Sequence, residues 1–147
     1  MVVERLLGEF SQVRAPDSET VLRQYPGVAA WLIEKGPAGP QAYRLLEELL
    51  TVLSDAGFDD KTVVRGAAAI MGWTFTRVAI EDSADDRVRR RSPTRATAFL
   101  NGLTDVAAAA HPAATRFGSA FFTLPLPDFF DAGIDWILAG VVSERVR

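Results

Sequence analysis

At 147 residues and 16.0 kDa the chain has the length of one domain, and its 48% hydrophobic residues are enough to bury one core. Charge is nearly balanced, 16 Lys and Arg against 19 Asp and Glu, so no whole-chain field draws it to nucleic acid or to an anionic membrane. The absence of cysteine excludes disulfides, thiol catalysis and cysteine-ligated metals, and no apolar run approaches the ~20 residues of a membrane span. The expectation is a single cytoplasmic domain over residues 1–147 with no membrane partner.

Twenty-two alanines and very few segments of period two predict helices throughout, with Pro and Gly marking the joints. Residues Val2 to Phe10 read as a short helix. Ser18 caps a second, which stops at Tyr25 because Pro26 disfavours helix in the residue before it. Gly27 to Lys35 is the next. Breakers at Gly36, Pro37, Gly39 and Pro40 precede a helical stripe of Ala42, Leu45, Leu46, Leu49, Val52, Leu53 and Ala56, closed by Gly57.

Asp59 or Asp60 then caps a longer helix to about Asp82, which is apolar on two faces. Val64, Ala67, Ala68, Met71, Phe75 and Val78 form one, and Gly66, Ala69, Ile70, Trp73 and Ile80 the other. A helix with two apolar faces needs cover on two sides, which points to a second subunit. Glu81 to Arg91 is mixed in charge and reads as a solvated linker. Ser92-Pro93 begins a helix carrying Ala96, Phe99, Leu100, Leu103 and Val106, which His111-Pro112 ends. A short helix with Phe117 and Phe121 follows, then extended Leu124-Pro125-Leu126-Pro127, then a final helix from Asp128. That helix carries two adjacent stripes, Phe130, Ile134, Ile137 and Val141 beside Phe129, Gly133, Trp136 and Gly140, the second suited to close helix approach.

Catalytic chemistry finds little support. His111 is the only histidine, so no histidine-rich metal site exists within one chain, and its plainer role is to cap the break before Pro112. Ser119, His111 and Asp105 are the residue types of a hydrolase triad, but Phe117-Gly118-Ser119-Ala120 is not a Gly-x-Ser-x-Gly elbow. Neither common phosphate-cradling glycine loop is present. Arg87, Arg89, Arg90, Arg91 and Arg95 form a local basic patch, but Asp82, Asp85 and Asp86 neutralise it and no aromatic is interleaved to stack on bases. The expectation is a protein with no catalytic residues, no metal and no cofactor.

Four stretches carry a family resemblance. They are Tyr25-Pro26-Gly27-Val28-Ala29-Ala30-Trp31-Leu32; Leu45 to Phe58, ending Ala-Gly-Phe; Trp73 to Glu81, with Thr76 or Arg77 where a glycine is common; and Phe129-Phe130-Asp131-Ala132-Gly133-Ile134-Asp135-Trp136-Ile137-Leu138-Ala139-Gly140. Together they resemble the C-terminal effector-binding and dimerisation domain of TetR-family (tetracycline-repressor-like) transcriptional regulators, from about Val2 to Val142. The resemblance implies an all-α bundle that forms a homodimer through a four-helix interface, and 14 arginines against 2 lysines with abundant alanine point to a GC-rich bacterial genome. The resemblance also implies a small apolar or aromatic effector in a helical pocket, and DNA contact only through a helix-turn-helix domain not present in these residues.

On that reading Trp31, Tyr43, Leu46, Met71, Phe75, Phe99, Phe117 and Phe121 line the pocket, with Tyr43, Thr74 and Arg77 as polar handles. Ala69, Trp73, Ile80, Phe129, Gly133, Trp136 and Gly140 form the dimer interface. The competing reading is a ligand-free helical module with a filled core that heterodimerises with a regulator through the same helices.

Overall fold

The computed structural model describes residues 22–36, 39–106, 108–124 and 126–144. The helix expected at Val2 to Phe10 and most of the one begun by Ser18 lie outside the described residues. Six α-helices are described: α1 Val28–Lys35, α2 Pro40–Asp55, α3 Asp60–Arg89, α4 Arg95–Thr104, α5 Pro112–Thr123 and α6 Leu126–Glu144. A 3₁₀ turn, Ala108–Ala110, links α4 to α5, and no strand occurs among the described residues. The all-α class expected from the alanine content and the 3.6-residue periodicity is what the chain adopts.

The 30-residue α3 is the spine, about 45 Å long at 1.5 Å per residue. Asp59 caps it as expected: its Oδ1 accepts the Thr62 N–H at 2.9 Å and its Oδ2 accepts the Thr62 hydroxyl at 3.1 Å. Helices α1, α2 and α6 each pack against α3, whereas α4 and α5 pack on each other. The core forms where α2 and α6 meet α3, from Leu49 and Leu53, Phe58, Val63, Ala67 and Ile70, and Phe130, Ile134, Leu138 and Val141. Leu53 and Leu138 are its largest fully enclosed side chains. Truncating either to alanine would remove about 2–5 kcal/mol.

Gly57 closes α2 as the sequence predicts. Its φ of +81° is a left-handed conformation that a residue with a Cβ resists, and its N–H donates to the Ser54 carbonyl at 2.8 Å. That turn brings α3 back along α2 within four residues.

Besides α4, which stops at Thr104 short of the His111 expected, three boundaries differ from the sequence reading. The segment Glu81 to Arg91 is no linker, because α3 runs on through Arg89. Its charges pair along the helix, with Asp86 2.7 Å from Arg90 and 3.5 Å from Arg89, which supports helix where low hydrophobicity had suggested coil. Glu81 and Asp82 are buried there and not solvated. Secondly, the cap of α4 is Thr94, whose Oγ1 accepts the Thr97 N–H at 3.1 Å, and not Ser92. Thirdly, α6 begins at Leu126, since a proline in the first helical turn gives up no intrahelical hydrogen bond.

His111 does stand at the N-cap of α5, but its side chain makes no capping bond. Only its carbonyl serves the helix, accepting from the Thr115 N–H and hydroxyl, each at 2.9 Å.

Candidate functional site

The eight residues expected around a pocket fall into separate environments. Phe75 is buried on α3, and Met71, half-buried, packs against the main core. Leu46 is half-buried on α2, while Tyr43 on the same helix is 61% exposed and Trp31 on α1 is also exposed. Phe99 lies between α4 and α5: its ring fills the space above Gly118 and sits 4.9 Å from the ring of Phe122. Phe117 and Phe121 are exposed on α5, with the Arg116 guanidinium 4.7 Å over the Phe117 ring. Because α4 and α5 pack on each other, extensive packing of Phe99 and Phe117 on Tyr43 and Leu46 is not found among the described residues. A shallow open groove of about 560 Å³ runs between the end of α2 and the start of α3, lined by Leu50, Thr51, Ser54, Asp55, Asp60, Val63 and Val64. None of the eight expected residues lines it.

Of the three polar handles, Tyr43 points to an exposed surface and the Thr74 hydroxyl donates to its own helix, at the Ile70 carbonyl 2.9 Å away. Arg77 is different. It is buried, its guanidinium lies 4.9 Å from the Phe129 ring centre and 5.8 Å from that of Trp73, and its Nη2 is 3.9 Å from Glu81. Stacking on aromatic faces offsets part of the cost of taking a guanidinium out of water.

The residues expected at a dimer interface lie along the seam of α3 and α6. Trp73 bridges the two helices: its indole covers Gly133, and its Nε1–H donates to the Phe130 carbonyl at 3.1 Å. The Phe129 ring meets it edge-on at 5.2 Å. Gly133 therefore provides close approach for a tryptophan of its own chain. Outside this knot the face is open. Ala69 is exposed, Ile80 half-buried and Trp136 68% exposed, and a Cβ added at Gly140 would meet nothing within 4 Å.

Sequence reasoning did not single out Glu81, Asp82 and Arg23 as structural residues. Arg23 bridges Glu81 and Asp85, at 3.4 and 3.1 Å, and Asp82 accepts the Gly27 N–H at 2.9 Å. The available signal was the spacing of the acids at 81, 82 and 85, which on a helix puts all three within one turn. No cluster of three or more metal-ligating side chains occurs among the described residues, and no described helix is long and apolar enough to cross a membrane.

The comparisons with known proteins bear on this architecture directly. No curated protein and no solved structure matches the chain. A family model described as "Tetracyclin repressor-like, C-terminal domain" matches residues 8–145, nearly the whole chain. With its helices arranged on one long spine and sealed by a final aromatic-glycine helix, the chain belongs to the tetracyclin repressor-like C-terminal domain family.

Proposed function

We propose that this domain is the effector-sensing and dimerisation part of a bacterial, cytoplasmic transcriptional regulator of the repressor type. In this reading it works as a homodimer and takes a small, mainly apolar or aromatic molecule. DNA is recognised by a helix-turn-helix domain outside these residues, and no catalytic residue is assigned. The observation that carries the reading is the family match over residues 8–145, since domains of this family typically dimerise and bind small effectors.

The open stretch of the α3–α6 seam supports the dimer. Small side chains at Ala69, Gly72 and Thr76 share the exposed side of α3, and Trp136 and Gly140 are exposed on α6. Flat small-residue surfaces beside an exposed tryptophan suit helix packing at short interaxial distance. For the effector, we assign Met71 and Phe75 to the inner wall, with Trp31, Tyr43, Leu46, Phe99, Phe117 and Phe121 on helices that close over it when ligand binds. Differential affinity for that closed arrangement is what would make the ligand a signal.

A thermal-shift screen against apolar and aromatic metabolites tests this. A binder present at ~100 times its dissociation constant adds about 2.7 kcal/mol and raises the melting temperature with the logarithm of its concentration. No stabilisation by any member of such a panel would favour the heterodimerising module, a reading supported by the tight burial of Phe75.

A further inference from the structure

The turn ahead of α1 is held on α3 by charges. Arg23 spans two carboxylates one helical turn apart, its terminal nitrogens 3.4 Å from Glu81 and 3.1 Å from Asp85. Between them Asp82 accepts the Gly27 N–H at 2.9 Å. Glu81 and Asp82 are both buried, so each depends on its partners for the stabilisation that water would otherwise give. Glu81 has a second arginine beside it: its other carboxylate oxygen is 3.9 Å from Arg77.

Arg77 is buried as well, and its Nε has no hydrogen-bond partner among the described residues. Its guanidinium is therefore positioned by what lies on either side of it, the Phe129 ring of α6 at 4.9 Å and the Glu81 carboxylate. A contiguous run of contacts thus leads from the α1 turn, through Glu81 and Arg77, to the seam where α6 meets α3.

We propose that Glu81, shared between Arg23 and Arg77, couples the seating of α6 on α3 to the docking of the 22–27 turn. When α6 shifts, the guanidinium leaves the ring it rests on and closes on Glu81 from its present 3.9 Å, and the hold of Glu81 on Arg23 weakens in exchange. The strength of such an exchange follows from the low local dielectric around two buried, oppositely charged groups. As a route by which an effector or a second subunit acts on α1, the coupling rests on the function proposed above. As a property of the fold it needs neither.

The Gly27 amide reports the docked turn directly, because Asp82 holds it. Its hydrogen-exchange protection, taken as a ratio to that in the parent chain under the same conditions, is measured by NMR in the full chain, with the Leu53 amide in the core followed beside it as the report on global stability. The seam variants are Phe129→Leu and Arg77→Lys, each alone and combined with Arg23→Gln. The proposal expects each seam variant to lower the ratio about threefold or more when Arg23 is present, and to have no further effect once Arg23 is glutamine. An unchanged ratio in the seam variants, or the same drop in the Arg23→Gln background, overturns it. If Phe129→Leu does not fold, Arg77→Lys, which keeps the charge, decides the matter alone. A chain that binds no effector leaves this result standing, so the two failures are distinguishable.

Discussion

The indole of Trp73 lies over Gly133, close enough that a Cβ at position 133 would clash with its Cζ2 and Cε2 atoms, while its N–H is bonded to the Phe130 carbonyl at 3.1 Å. Gly133→Ala therefore forces the indole out and breaks that bond. The expected net loss is about 1–3 kcal/mol in urea unfolding, despite the better helix propensity of alanine. Gly102→Ala is the control, since a Cβ there meets nothing within 4 Å. It should gain up to about 1 kcal/mol from propensity alone. Equal effects of the two substitutions would contradict the packing described.

The long helix ends on an arginine where glycine is usual. Arg91 has φ +54°, the Ser92 N–H donates to the Arg87 carbonyl at 2.9 Å, and the Arg91 N–H donates to the Val88 carbonyl at 3.1 Å. This is the paired bonding of a Schellman cap, built around a residue with a Cβ. Arg91→Gly should raise stability by about 1 kcal/mol by removing left-handed strain, and Arg91→Val should lower it. The order of the two melting temperatures around the parent value checks the assignment.

Asp59 gives a prediction with a sign. Hydrogen bonds from the Thr62 backbone and side chain hold its carboxyl below the usual carboxylate range. A depressed folded pKa adds stability that is complete above the unfolded value, about pH 4, and is lost as pH falls through the lower folded value. The melting temperature of Asp59→Ala should therefore lie below that of the parent at neutral pH, and the gap should narrow on acidification below about pH 4. A gap that stays constant to about pH 2 would show that the carboxylate charge plays no part in the cap.

Much of the fold was legible because its signals are local. The Asp59 cap, the Gly57 stop and the Leu49–Leu53 stripe each depend on residues within a few positions, and each stands where the sequence puts it. The end of α3 was not legible, since Glu81 to Arg89 has the composition of a linker and is held as helix by tertiary partners such as Arg23 and Gly27. The inner stripe of α6, Phe130, Ile134, Ile137 and Val141, packs on the core where the sequence puts it, but the burial of Leu138 and what fills the Gly133 notch are long-range facts that periodicity does not contain. The same limit applies to the pocket. Helix faces name aromatic residues, but which helices face one another is decided by packing, and α4 pairs with α5 rather than with α2.

Sedimentation equilibrium of the chain and of Gly140→Arg tests the central claim most directly. The wild type should sediment at twice 16.0 kDa and the variant at 16.0 kDa, because the substitution places a charge on the open α6 face proposed as the interface, where a single chain has nothing within 4 Å for a Cβ to strike. A wild type that sediments at 16.0 kDa at every concentration, or a Gly140→Arg dimer as tight as the parent, would contradict the account.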